Sequence, residues 1–228
     1  MTTATRSVSR RRRAPRGSGE QLRVEIITAA RRLLAEAGDA DAVSMRAVAD
    51  AVGVTSPSLY LHFADKDALI AAVVADVFTE LDAAMLEAAD GITDPLERLR
   101  AFGLAYVRFA LSHPQHYRIA VMDPCPTPDV DRVLASSAFT HFQQAVTACM
   151  DAGIFAPDDP LPITLELWTV AHGVASLMIT KPFMPWGDPE EFTDRVLCAA
   201  ALGRSAANQA GEPSPRRRRG QRRPASGK

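Results

Sequence analysis

Between Ser44 and Phe63 the chain reads SMRAVADAVGVTSPSLYLHF, which leaves room for little except two short helices meeting at a bend at Gly53. Met45, Val48, Ala49 and Val52 fall at i, i+3, i+4 and i+7 and form one apolar stripe, with Arg46 and Asp50 off it. Gly53 supplies the φ > 0 residue that ends a helix at low cost. Val54 returns to the core, a hydroxyl of Thr55 or Ser56 caps the next helix, and Pro57 sits in its first turn, where a missing N–H costs nothing. A second helix therefore starts at once, over about Ser56 to His62, at a steep angle to the first. Leu59 and Phe63 face inward, leaving Ser56, Ser58, Tyr60, Leu61 and His62 toward solvent. At about 1.5 Å per residue that rod is roughly 10 Å long. A DNA major groove about 12 Å wide admits a helix of that girth. Small hydroxyls at its start permit close backbone approach, and Tyr60, His62 and Lys66 suit contacts to phosphates.

These residues carry a resemblance. The alternating alanines and valines before GVT, then SLYLHF and Lys66 with Leu69 and Ile70 behind it, resemble the DNA-binding domain of tetracycline-repressor (TetR) family regulators. The likeness is specific from about Arg23 to Val74 and takes in ITAARRLLAEAG, Ile27 to Gly38, as the first helix with its glycine stop. It implies an N-terminal three-helix domain, residues 18–66, with its helix-turn-helix at 44–63. It also implies a larger helical regulatory and dimerisation domain over 67–210. Position by position, it makes Arg46 a candidate for guanine contact. Ser56, Pro57 and Ser58 become reading positions, and Tyr60, His62 and Lys66 phosphate contacts. Ser44 and Thr55 flank them in the expected DNA-binding set. Arginine is the side chain best able to bond guanine O6 and N7 together.

Downstream the pattern is helical throughout, with no alternating β segment. From Asp65 to about Ala89, Leu69, Val73, Val77, Leu81 and Met85 recur every four residues and predict one long connecting helix. Gly91 stops it, Asp94 caps the next, and Pro95 opens a helix running to His113. HPQHYRIAVM predicts a short helix, DPCPTPD a loop, and Val130 to Met150 another helix. Residues 162–180 are apolar on nearly every side, so one face requires a partner beyond the chain's own core. With the 188–205 helix, whose Ala199, Ala200 and Gly203 allow close approach, they predict a four-helix homodimer interface, which the resemblance also implies. Two reading helices about 34 Å apart would then match a palindromic operator in double-stranded DNA.

Charge is distributed unevenly. Residues 1–17 hold six arginines and no acid, and residues 211–228 carry a net +6, so the 18–210 body carries −13 against a formal −1 for the whole chain. Both ends lack apolar periodicity and are expected to be disordered arms; the N-terminal one, leading straight into the first helix, is expected to add phosphate contacts. No apolar run reads as a membrane span and no signal-type segment follows the start, so a cytoplasmic protein is expected. Cys125, Cys149 and Cys198 form neither a disulfide framework nor a zinc pattern.

Phe102, Tyr106, His113, His116, Tyr117, Met122, Phe142, Trp168, His172 and Met178 form an apolar and aromatic set with a few polar handles. Such a set suits a small, mostly hydrophobic effector of unknown identity. Trp168 and His172 lie one helical turn apart, and with Gly173 they resemble a segment in one subgroup of the family. If the resemblance holds, effector binding moves the long helix that starts at Asp65, and operator DNA is released. An activator, or a regulator without a ligand, fits the same residues. So does a sequence-indifferent nucleoid-type binder, though the acidic body disfavours it. No phosphate loop, nucleophile elbow or paired-carboxylate constellation marks an enzyme, and no cofactor or metal site is expected.

Overall fold

Most of the described helices begin where a side-chain oxygen meets an orphan backbone N–H. In the computed structural model, which describes residues 19–122 and 138–209, Ser44 Oγ accepts from Ala47 N (3.1 Å) and Thr55 Oγ1 from Ser58 N (3.4 Å). Asp65 accepts from Ala68 N (2.7 Å), Asp94 from Glu97 N (2.9 Å) and Asp159 from Leu161 N (3.0 Å). Each cap satisfies a donor with no partner inside its helix. The described helices are α1 (Gly19–Ala37), α2 (Met45–Val52), α3 (Ser56–Tyr60), α4 (Lys66–Ala88) and α5 (Pro95–Ser112). They are followed by α6 (Pro114–Tyr117), α7 (Ala138–Asp151), α8 (Pro160–Thr180) and α9 (Pro189–Gln209). No strand occurs among the described residues, as the sequence pattern predicts.

Helices α1 to α3 form a small head around Ile26, Ala30, Leu34, Val48, Ala49, Leu59 and Phe63, all buried. Helix α4 packs on α1 and then on α5 and α7, so one core runs through head and body without a break. Helix α5 is central, touching α4, α6, α7, α8 and α9. Its Gly103 lets α9 come close: a Cβ there would lie 2.7 Å from Leu197 Cδ1.

Several boundaries differ from the sequence reading. The second helix of the bend closes at Tyr60, with Leu61 and His62 in the following turn. The short helix after His113 ends at Tyr117 and runs on as a π-helical turn, Arg118–Met122. The penultimate helix begins at Pro160, before the expected 162, because Asp159 caps it; the last one continues to Gln209, beyond 205. The expected start of a helix at Val130, Cys125 in its loop, and both basic arms lie outside the described residues. Helix α8 is long and apolar enough to cross a membrane by length and composition alone, and here it packs against α5, α7 and α9 as a core helix does.

Candidate nucleic-acid interface and effector core

Gly53 sits at φ 75°, ψ 31°, and its N–H and that of Val54 close the end of α2 on Asp50 O (3.2 Å) and Ala49 O (3.0 Å). That turn swings α3 outward. Leu59 is buried and anchors it, while Tyr60 is 51% and Leu61 86% exposed. Thr55 and Pro57 are exposed, Ser56 and Ser58 half-buried, and the Thr55 and Ser58 hydroxyls lie 2.9 Å apart. Ser44 and Arg46 are exposed on α2, Arg46 facing Asp50 at 3.8 Å, a contact too open to hold it against a competing phosphate. Lys66 is paired with Asp41 at 3.6 Å, so a phosphate would have to displace a carboxylate there. His62 lies beside the first residue of α1, 3.9 Å from where a Gly19 Cβ would be, and Arg23 covers the Phe63 ring. The positions expected to meet DNA thus share one end of the head.

In the body the polar members of the aromatic set meet one another. Trp168 Nε1–H donates to Tyr106 Oη (3.0 Å), the Tyr106 and Tyr117 hydroxyls lie 2.8 Å apart, and Tyr117 Oη is 2.7 Å from His172 Nδ1. An indole can only donate, so Tyr106 Oη accepts from Trp168. The arrangement in which both tyrosine protons find an acceptor has Tyr106 giving to Tyr117 and Tyr117 to His172 Nδ1, which requires a neutral imidazole with its proton on Nε2. Burial favours the neutral form of all three groups. It pushes Tyr106 up to about 12, raises Tyr117 further, and lowers His172. Apolar neighbours complete the region: Phe102, Phe142 and Met178 are buried, Met122 is half-buried, and Phe139 meets Trp168 edge-on. Cys149 is buried too, its thiol pushed up to about 11 by burial, which keeps it protonated.

His116 does not join this set. It turns the other way, its Nδ1 3.2 Å from Arg31 Nη2 on α1. Arg31 also bonds Asp76 (3.0 Å) and Glu80 of α4, which raises the guanidinium and lowers the Glu80 carboxyl. These groups line a cleft of about 560 Å³ between head and body, together with Thr28 and Glu36. His113 stacks on His116 with ring centroids 6.1 Å apart, and no cluster suited to a metal ion occurs among the described residues. Sequence reasoning missed this junction. The available signal was Arg31 on the buried stripe of α1, four residues after Ile27 and three before Leu34, where an arginine demands partners.

Residues 26–73 match the family described as bacterial regulatory proteins of the tetR family, and residues 99–200 match the tetracyclin repressor-like C-terminal domain. The chain is 30% identical over 127 residues to the transcriptional repressor KstR2 of Mycobacterium tuberculosis, covering 56% of this chain and 60% of that protein. It is 30% identical over 141 residues to the transcriptional activator FasR of Mycolicibacterium smegmatis, covering 62% and 61%. The matched stretch thus spans about three fifths of these relatives' length. A solved structure of a protein of unknown function from Rhodococcus sp. RHA1 superposes with a TM-score of 0.70 at 25% identity, over 81% of this chain and 95% of that one.

Proposed function

Because the chain belongs to the tetracycline-repressor family of bacterial regulatory proteins, we propose that it is a transcription regulator reading double-stranded operator DNA through α3. The observation that carries this reading is the outward end of the head. Tyr60 and Leu61 stand clear of a fully buried Leu59, and Arg46 of α2 is exposed and held only by a loose contact. Helix α3 enters the major groove, Arg46 and the Ser56–Ser58 turn meet base edges, and Tyr60 and His62 meet phosphates. Helix α1 starts beside His62, and the six arginines of residues 1–17 precede it in the chain. Each phosphate they neutralise steepens the salt dependence by about 0.9 in the log–log slope.

The protein acts as a homodimer. On α8, Leu161, Leu165 and Leu177 remain bare, as does Leu202 on α9, and leaving such side chains wet in a monomer is unfavourable. Two copies joined there hold their reading helices about one turn of DNA apart and recognise a palindrome. A partner of that kind places the protein in the cytoplasm.

Release is driven by a small, mostly apolar effector entering the body at the Trp168–Tyr106–Tyr117–His172 chain. Displacing Tyr117 displaces His116, the preceding residue of α6, and with it Arg31 in the head. The effector must therefore bind the DNA-incompetent form more tightly, and DNA weakens effector binding by the same factor.

Selection of bound sequences from a random DNA pool should return a palindrome. Against it, Arg46→Ala and Tyr60→Ala should each lose at least about tenfold in affinity without a change in melting temperature. Equal affinity for selected and random DNA, or full affinity in both variants, contradicts the proposal.

A further inference from the structure

The loop between α8 and α9 carries the most exposed aromatic side chain among the described residues, and it is not a slack loop. Lys181 O accepts from Met184 N (3.2 Å) and from Trp186 Nε1 (2.9 Å), while Met184 O accepts from Trp186 N (2.8 Å). Trp186 packs edge-on against Phe192 of α9 at 5.3 Å, and Arg195 covers the Phe192 ring. Pro182 and Pro185 restrict the backbone further. On this scaffold Phe183 is 100% exposed and Met184 55%. A loop ordered from beneath, with a bare phenyl ring on top, has the character of an interface anchor: little side-chain entropy remains to be lost on binding.

A receptacle of matching size lies close by. Leu104, Val107 and Leu111 of α5 with Pro189 and Thr193 of α9 line a groove of about 180 Å³, bordered by the Arg108–Glu190 ion pair at 2.7 Å. An apolar cavity of about 150 Å³ is large enough to take benzene. Phe183 does not fill the groove of its own chain, since its ring is wholly exposed. Knob and groove nevertheless share one end of α9, where Pro189 follows Phe183 by six residues. A two-fold axis passing between them carries each knob to the other copy's groove, which is the self-complementary pairing a symmetric dimer requires.

We propose that Phe183 of one protomer inserts into the α5–α9 groove of a second copy of this chain, a lock at the edge of the α8–α9 interface. The occupant is a second copy because the knob is continuous with the bare Leu177 end of α8 and because ring and groove match in volume. This lock rests on the dimer reading above.

Sedimentation of the full chain separates the two. The wild type should be dimeric at micromolar concentration. Phe183→Ala, a change at a fully exposed site, should raise the dimer dissociation constant about thirtyfold, as loss of an interface anchor does. Leu111→Trp, which fills the groove from within, should weaken the dimer as well, and Val24→Ala on α1 should not. Mixing Phe183→Cys with Leu111→Cys protein and oxidising should give a covalent dimer containing one of each, absent from oxidised wild type. A wild-type dimer that Phe183→Ala leaves intact, without the mixed disulfide, overturns the lock while the dimer stands. A covalent dimer of Phe183→Cys with itself also overturns it, by placing the two loops against each other. A wild-type monomer overturns both.

Discussion

Tyr117→Phe removes one oxygen from the middle of the body and leaves the ring, so it creates almost no cavity and isolates the polar term. Two hydrogen bonds disappear, the 2.8 Å contact with Tyr106 and the 2.7 Å contact with His172 Nδ1. Tyr106, itself buried, then holds a hydroxyl proton with no acceptor, at a cost of about 1–3 kcal/mol. His172 is half-buried, so water can replace part of what it loses, and its share is about 0–1 kcal/mol. The expected destabilisation is about 2–3 kcal/mol, a fall in melting temperature of roughly 5–10 °C for a chain this long. Urea unfolding followed by the fluorescence of Trp168 and Trp186 measures it. The informative comparison is Tyr106→Phe/Tyr117→Phe, which removes the orphaned donor as well. Its cost should fall short of the sum of the two single changes by at least about 1 kcal/mol. Strict additivity, or a Tyr117→Phe cost below about 0.5 kcal/mol, would refute the coupled hydrogen-bonded chain from Trp168 to His172.

The pH dependence follows from the two histidines whose titration is lowered, chiefly by burial: His116 and His172. The unfolded chain takes up their protons near the ordinary value of about 6.5, while the folded chain resists. Their stabilisation is therefore complete above that pH and is lost as pH falls toward the folded values. The urea midpoint should decline from pH 7.5 to 5.5, and less steeply in His172→Gln; a midpoint that rises on acidification contradicts the buried neutral rings. Gly53→Ala forces a Cβ into the left-handed region and should cost about 1–2 kcal/mol, weakening DNA binding through α3. Native melting and DNA binding both unchanged would show that the bend does not depend on that conformation. Arg31→Met strands two half-exposed carboxylates, so after solvent screening the loss should be only about 1 kcal/mol. Amide exchange should quicken selectively in α1 and α6, and unchanged protection there would mean that the junction does not bind head to body.

The head was legible because its signals are local. Ser44, Gly53, Thr55 and Pro57 each act within a few residues, through a cap, a left-handed turn or a fixed φ, and the stripe of Val48 and Ala49 needs only helical periodicity. The long helix after Asp65 was legible for the same reason. Boundaries moved where a cap or a tighter turn prevailed over the apolar pattern, as at Pro160 and Tyr60. The aromatic set could be named in advance, but not its internal bonding.

Residue order alone settled the all-helical class, the bend that turns α3 outward, and the contrast between basic ends and an acidic body, because propensity, capping and charge belong to short stretches of chain. Tertiary structure decided which of two adjacent side chains faces which neighbour. His116 meets Arg31 at 85 residues' separation, and Tyr117 meets His172 at 55. Those pairings depend on how α1, α6 and α8 pack around α4 and α5, and the energy of a contact between distant segments exists only once the helices have been brought together.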